Sequence, residues 1–195
     1  MSVERTDWDL VRLAGGGDKE AFRELVERYQ RRVLAVVMGM LHDREAALEV
    51  TQETFIKAFR SIGRFKGDAS FYTWVYRIAV NLAIDHQRRE WRRPLADSTR
   101  TSGNDGQTED LLDRIGDEDP RGDPFEATKD SQLRARVLEA IDELTPDHKA
   151  VILLRELEGL SYEEISRVMQ CSKGTVMSRL HYARKKLQAR LKEFV

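Results

Sequence analysis

The last part of the sequence carries basic and polar side chains at a spacing that could bind nucleic acid. From Glu163 to Lys192 there are eight Lys or Arg residues and two acidic ones, a local charge of +6. At 100° per residue, Ser178, His181 and Lys185 share one face of a helix, opposite an apolar stripe. Such a helix can enter a DNA major groove, although a helical hairpin with a solvated basic face would have the same composition. The apolar stripe is Val176, Leu180, Ala183 and Leu187.

A second candidate for nucleic-acid binding lies in a predicted helix over about 70–92. Trp74, Arg77 and Asn81 share one stripe of this helix, about 90° from its apolar stripe. Aromatic faces interleaved with cations are typical of sites for single-stranded nucleic acid. Trp74 and Tyr76 could equally be core or rim residues, as aromatic side chains on helices commonly are.

Neighbouring titratable residues raise the possibility of an enzyme, but their geometry argues against it. Asp85 with His86, or Glu163 with Glu164, could be an acid and a base. Adjacent residues on a helix point about 100° apart, however, and cannot converge on one atom. The four histidines lack metal-ligand spacing, and the lone cysteine, Cys171, excludes an internal disulfide. We therefore expect no catalytic activity, cofactor, metal ion or small-molecule substrate.

Charge is unevenly distributed along the 195 residues, although the net charge is only −1. Residues 1–93 and 131–195 each carry +3, whereas residues 94–130 carry −7. The acidic segment is poor in apolar residues, which predicts a flexible linker. Two small domains, 1–93 and 131–195, are expected on either side of it. One apolar cluster in the linker could dock on a partner or stay in solvent, and it consists of Leu111, Leu112 and Ile115.

Apolar residues recur at three- and four-residue steps in both halves and strand-like alternation is absent, so the predicted fold class is all-α. Ser161 begins a capping box with Glu164, residues 170–171 interrupt the apolar pattern, and Ser172 can cap the next helix. This order predicts a helix-turn-helix. The chain lacks both an eighteen-residue apolar run and an apolar signal region, and we expect a cytoplasmic protein.

Three segments, with the acidic linker between them, resemble the extracytoplasmic function (ECF) group of bacterial sigma factors, and within it the sigma-E-like members. They are DREAALEVTQETFIKAF (43–59), FKGDASFYTWVYRIAVNLAIDHQRR (65–89) and LSYEEISRVMQCSKGTVMSRLHYARKKL (160–187). The resemblance implies that residues 1–93 are sigma region 2, which binds RNA polymerase core and opens the −10 promoter element. Residues 131–195 would be region 4, whose helix-turn-helix reads the −35 element. The implied partners are polymerase core, promoter DNA and an anti-sigma factor, with the protein itself a monomer.

The resemblance also implies three sets of contacts, residue by residue. The polymerase-binding set is Glu49, Gln52, Glu53 and Phe55. The −10 set would capture a flipped base and hold the melted strand, and comprises Phe65, Lys66, Gly67, Asp68, Ala69, Ser70, Trp74, Arg77, Asn81, Arg88 and Arg89. Such a pocket can offset the few kcal/mol that unstacking a base costs. The −35 set is Ser172, Lys173, Thr175, Ser178, Arg179, His181, Tyr182 and Lys185.

Two positions depart from the pattern of the group, which commonly has Lys or Arg in place of Met177 and Arg in place of Tyr182. Arginine makes a bidentate contact with guanine that tyrosine cannot make, so the −35 sequence cannot be carried over from relatives. The rival interpretation is an autonomous helix-turn-helix repressor or activator. Its first half would sense a signal or dimerise, and it would bind paired half-sites as a dimer.

Overall fold

The structure is a computed structural model that describes residues 5–41, 43–92 and 136–192. The predicted linker over 94–130, with its apolar cluster, lies outside the described residues. Every regular element within the described ranges is a helix, which confirms the predicted all-α fold class.

The first half consists of four α-helices and one 3-10 turn. Asp18 Oδ1 accepts hydrogen bonds from the backbone N–H groups of Glu20 at 2.9 Å and Ala21 at 3.1 Å, which makes Asp18 an N-cap. Asp43 caps the next long helix through the N–H of Ala46 at 2.9 Å. The elements are α1 (Asp7–Gly15), α2 (Lys19–Leu41), α3 (Arg44–Ser61), the 3-10 turn (Ile62–Arg64) and α4 (Phe71–Arg92).

The core of the first half lies between α2, α3 and α4. Leu25 and Val36 of α2 and Val75 and Tyr76 of α4 are all fully buried and belong to one apolar cluster. Tyr76 is therefore a core residue. Trp74, by contrast, is partly buried and packs against the edge of this core, so the structure places these two neighbouring aromatics in different environments.

The second half begins, within the described residues, with α5 (136–142) and continues with α6 (Pro146–Glu156), α7 (Tyr162–Met169) and α8 (Lys173–Leu191). Thr145 caps α6, and Pro146 occupies its first turn, where a missing N–H costs nothing. Gly159 has φ +67°, a conformation that glycine adopts without strain, and turns the chain into α7. Ile165 and Val168 of α7 are buried in this half.

The two halves pack against each other, and their buried apolar residues form one continuous cluster. Leu153 of α6 lies so close to Gly39 of α2 that a Cβ added to the glycine would come within 2.8 Å of it. Lys149, only 3% exposed, reaches the backbone oxygen of Met40 at 3.4 Å. The domain boundaries at 93 and 131 stay predictions, because a shared cluster does not tell whether each half folds alone.

Candidate nucleic-acid interface

The predicted capture loop, residues 65–70, joins the 3-10 turn to α4 and is held at both ends. Phe65 N–H donates to the Ile62 carbonyl at 3.0 Å, and the Ser70 hydroxyl accepts from the N–H of Thr73 at 3.3 Å. Ser70 therefore caps α4. Between these anchors Gly67 adopts φ +78°, which favours glycine and turns the loop back on itself.

A cavity of about 200 Å³ opens beside this loop. The rings of Phe65 and Trp74 lie 5.2 Å apart between centroids and form an aromatic wall. Arg77 of α4 brings a cation to the same cavity. An aromatic wall beside guanidinium groups can stack on a base and neutralise a phosphate. The full lining is Arg64, Phe65, Lys66, Gly67, Asp68, Ala69, Thr73, Trp74, Arg77 and Arg167.

Four residues of the predicted −10 set lie beyond this lining. Ser70 is at the end of the loop, and Asn81 is exposed about one helical turn past Arg77. Arg88 and Arg89 are exposed about 16–18 Å further along α4 than Arg77. The structure thus gathers the loop, Trp74 and Arg77 at one cavity. It places Asn81 and the two later arginines along the same helix.

Sequence reasoning missed three residues that line the cavity. Arg64 and Thr73 flank the loop in the sequence and could have been found by extending the motif by a few residues. Arg167 belongs to α7 in the second half, more than 90 residues away. Its position depends on how the halves pack, and no local signal indicates it.

A second, larger depression of about 770 Å³ lies between α2 and α3. Gln52 and Phe55 of the predicted polymerase-binding set line it, while Glu49 is exposed on the same helix. Glu53 is partly buried and pairs with Lys57 at 2.9 Å. Most of the remaining lining is apolar. The remaining lining residues are Phe22, Val26, Gln30, Arg31, Leu34, Leu48, Thr51, Ile56, Phe59 and Arg60.

The helix-turn-helix forms as predicted, with both caps in place. Glu164 accepts a hydrogen bond from the Ser161 N–H at 2.8 Å, and the Ser161 hydroxyl accepts one from the Glu164 N–H at 3.3 Å. Gln170 takes the left-handed conformation with φ 50° and ends α7. The Ser172 hydroxyl then caps α8 through the Thr175 N–H at 3.1 Å.

The free face of α8 carries the predicted reading residues. Ser178, His181 and Lys185 are exposed, and the opposing stripe of Val176, Leu180 and Ala183 is buried, as the angular pattern predicts. The two positions that depart from the family pattern are also open to solvent. Tyr182 is 62% exposed and Met177 is 53% exposed.

Other members of the predicted −35 set make contacts with side chains of the protein itself. Arg179 pairs with Asp147 of α6 at 3.3 Å, and its side chain is only 24% exposed. Lys173 pairs with Glu163 across the turn. The hydroxyls of Ser172 and Thr175 lie 2.9 Å apart. One further residue lies beside the reading face: the ring of His148, on α6, is 6.4 Å from that of Tyr182.

One carboxylate links the helix-turn-helix to the capture loop's helix. The Tyr72 hydroxyl on α4 donates to Glu164 on α7. Burial raises the pKa of Glu164, but the hydrogen bonds from Tyr72 and Ser161 outweigh burial and hold that pKa below its ordinary value of 4.5. Beside this link, burial and the nearby Glu158 carboxylate raise the pKa of Tyr76, which stays neutral.

Comparison with known protein families accounts for this architecture. Sigma-70 region 2 matches residues 25–93, and Sigma-70 region 4 matches residues 134–187. The RNA polymerase sigma-H factor of Pseudomonas aeruginosa is 42% identical over 99% of this chain and 100% of its own length. The ECF RNA polymerase sigma-E factor of Haemophilus influenzae is 40% identical over 98% of both chains. That of Escherichia coli K12 is 37% identical over 100% of this chain and 99% of its own.

The two matched regions define a sigma factor of RNA polymerase. The chain belongs to the ECF group of the sigma-70 family, which confirms the resemblance seen in the sequence.

Solved structures support the fold. CnrH, in complex with the cytosolic domain of CnrY, superposes with a TM-score of 0.67 at 24% identity, covering 94% of this chain and 96% of that one. The sigma factor RpoE of Bartonella quintana, in complex with the anti-sigma factor NepR, gives 0.63 at 22% identity, covering 88% and 96%. Among the helices that the structure describes, none is long and apolar enough to cross a bilayer.

Proposed function

We propose that this sigma factor recognises its promoter through two contacts, base capture at the loop cavity and major-groove reading by α8. It acts as a specificity subunit and leaves catalysis to the polymerase. The observation that carries the proposal is the cavity itself, in which an aromatic wall, a glycine turn and a cation from α4 meet. A base taken out of the duplex needs a stacking surface and a polar rim, and both are here.

The first contact uses the −10 set in two parts. The loop and Trp74 surround the captured base, and Arg77 meets a neighbouring phosphate. Asn81, exposed about one helical turn past Arg77, offers an amide that can hydrogen-bond a base edge. Arg88 and Arg89 extend the cationic track along α4, so that the melted strand follows the helix away from the cavity.

The second contact uses the exposed face of α8. Ser178, His181 and Lys185 face the groove, together with Tyr182 and Met177. Arg179 is held by Asp147 and contacts DNA only if that pair exchanges for a phosphate or base. Ser172, Lys173 and Thr175 lie at the start of α8, where backbone N–H groups and the helix dipole favour a phosphate.

The groove between α2 and α3 fits the polymerase. Its lining is mostly apolar and includes the exposed polar residue Gln52, with Glu49 exposed on the same helix, which is the composition of a protein–protein contact with a polar rim. The solved structure of CnrH contains the cytosolic domain of CnrY, and that of RpoE contains the anti-sigma factor NepR. We propose that an anti-sigma factor likewise binds this protein, which otherwise works as a monomer in the cytoplasm, where the polymerase is.

Run-off transcription with polymerase core over a promoter library tests the proposal. The expected result is transcription from a defined set of promoters with a −10 and a −35 element. Asn81→Ala should weaken discrimination at one −10 position, while His86→Ala, on another side of the same helix, should leave it unchanged. Unaltered selectivity across the whole −10 element would remove Asn81 from the site.

The same experiment separates this function from an autonomous regulator. An autonomous helix-turn-helix protein would protect paired half-sites as a dimer without polymerase. A sigma factor should bind promoter duplex poorly alone, because tethering both halves to polymerase supplies the effective concentration each contact lacks. A footprint by the free protein at low concentration would contradict the proposal.

A further inference from the structure

Helix α1 contacts the 3-10 turn at one end and the capture loop at the other. A Cβ added to Gly15, at the end of α1, would lie 3.8 Å from the Cα of Gly63. At the other end of α1, the ring of Trp8 lies against Gly67, the turn of the loop. A Cβ added to Gly67 would come within 2.7 Å of Trp8 Cζ3 and 3.0 Å of Cη2. Helix α1 is therefore in contact with the chain on both sides of Phe65, at Gly63 and at Gly67.

Helix α1 is itself anchored to α2. Asp7 pairs with Arg28 of α2 at 2.9 Å and accepts a hydrogen bond from the Tyr29 hydroxyl. The other guanidinium nitrogen of Arg28 donates to the Arg5 carbonyl at 2.7 Å. Leu10 of α1 is fully buried in the core. This burial fixes the position of the helix, and with it the face that carries Trp8. Small movements of Trp8 relative to Gly67 are thereby restricted.

Packing in the core does not explain why residue 8 is a tryptophan. It is 56% exposed, although a large apolar ring is usually buried. It also lies outside residues 25–93, the span that matches sigma-70 region 2. What its ring does contact is the residue of the capture loop with φ +78°, and the neighbours of that residue, Lys66 and Asp68, both line the cavity.

We propose that Trp8 is a positioning residue for base capture. Its ring backs the turn at Gly67 from outside the cavity, and so sets where Lys66 and Asp68 stand inside it. This inference rests on the proposed −10 function of the cavity and extends it to a helix beyond the matched region. Gly67 is required twice, by its backbone conformation and by the ring, because any side chain there would collide with Trp8.

The test measures base selectivity by holoenzymes formed with polymerase core on promoters that differ only at the captured −10 base. Trp8→Ala should reduce discrimination between the preferred base and the others about tenfold. Without the ring, Lys66 and Asp68 can move, and a misplacement of contacting groups by about an ångström lowers reaction rates by as much as about a hundredfold. Affinity for polymerase should not change. Leu13→Ala is the matched control, because Leu13 lies on the same helix and is 37% exposed. Trp8→Phe should restore most of the discrimination.

A double-mutant cycle tests the contact directly. Gly67→Ala in the wild-type background should be more damaging than the same change in a Trp8→Ala background, where the ring is gone and only the backbone strain remains. Additive effects, or equal losses of binding for all four bases after Trp8→Ala, would overturn the inference.

The outcomes separate this inference from the function on which it rests. If the wild-type holoenzyme shows no preference at any −10 base, the proposed capture fails and the role of Trp8 fails with it. If the wild type discriminates and Trp8→Ala discriminates equally well, base capture stands and only the positioning role is wrong. Circular dichroism of each variant establishes that it is folded. If Trp8→Ala does not fold, base selectivity is measured on Trp8→Phe instead.

Discussion

At the scale of single residues, Tyr182 is the position most open to a change of specificity. It is 62% exposed on the reading face of α8, and its phenol cannot make the paired hydrogen bonds that arginine makes with guanine. Tyr182→Arg should create a preference for guanine at one −35 position worth about 1–3 kcal/mol, measured by run-off transcription on −35 variants. Gln188→Arg adds the same charge on another face of α8 and should strengthen binding without base preference. Equal behaviour of the two variants would remove Tyr182 from the reading face.

Glu164 gives the stability of the protein an acid dependence. Its folded pKa is lowered from 4.5, so between the folded and unfolded pKa values the unfolded state binds more protons. Its contribution is complete above about pH 4.5 and is lost as pH falls through the folded pKa. Urea unfolding of wild type and Glu164→Gln should therefore differ most above pH 4.5, with the difference shrinking toward pH 3. A difference that grows on acidification would contradict the lowered pKa.

At the scale of elements, the groove between α2 and α3 is the surface proposed to bind the polymerase. Ile56 lies on it and is 43% exposed, so a charge there should disturb binding more than folding. Ile56→Asp should weaken association with polymerase core by about 2 kcal/mol or more, the size expected for a residue at the centre of an interface.

The control for this prediction lies in the other half. Leu157 is 44% exposed, and Leu157→Asp introduces the same charge at matched exposure outside the groove. Pull-down or calorimetric titration with core enzyme should separate the two variants while their melting temperatures stay similar. Equal weakening by both would show that the groove is not the contact.

At the scale of the whole molecule, the packing of the halves conflicts with promoter geometry. The −10 and −35 elements lie about 25 base pairs apart, roughly 85 Å at about 3.4 Å per base pair. Here, Arg167 of the helix-turn-helix lines the same cavity as Arg77. The two contacts proposed above therefore require the halves to separate before both elements can be bound at once.

A charge swap tests this opening. Arg32 of α2 pairs at 2.8 Å with Glu158, whose side chain is only 4% exposed. Arg32→Glu would leave two carboxylates facing each other, at a cost of about 3 kcal/mol for a buried charge without its partner. We expect a larger radius of gyration in X-ray scattering. Affinity of the free protein for a single-stranded −10 oligonucleotide should rise about tenfold or more, since each 1.4 kcal/mol is a factor of ten.

Two further variants make the charge swap decisive. Arg32→Glu combined with Glu158→Arg should restore the pair and the closed dimensions. Arg23→Glu changes a residue on the same helix that is 68% exposed and pairs, within the described ranges, with its own-helix neighbours Glu20 and Glu27, and it should have no effect. Failure of the double swap to reverse the single one would assign the effect to something other than this pair.

The helices and their caps could be predicted from the sequence because the signals are local. Asp18, Ser161 and Ser172 each lie two or three residues from the N–H groups they accept from, and the apolar stripe of α8 follows from the helical angle. The two glycines of residues 63–70 predict a loop for the same reason, whereas its role in base capture was implied only by the resemblance to sigma factors. Physical interactions that span one helical turn leave their trace in the spacing of residues.

By itself the sequence determined the helical class, the helix-turn-helix and the family to which the chain belongs. Only the tertiary structure decided that Tyr76 is core while Trp74 borders a cavity, that Arg167 reaches that cavity, and that Trp8 rests on Gly67. The contacts of Arg167 and Trp8 join residues far apart in the chain, whereas Trp74 and Tyr76 are near neighbours in the chain that lie in different environments. They depend on which faces pack when the helices bury their apolar surfaces, and periodicity alone does not specify the partner of a face.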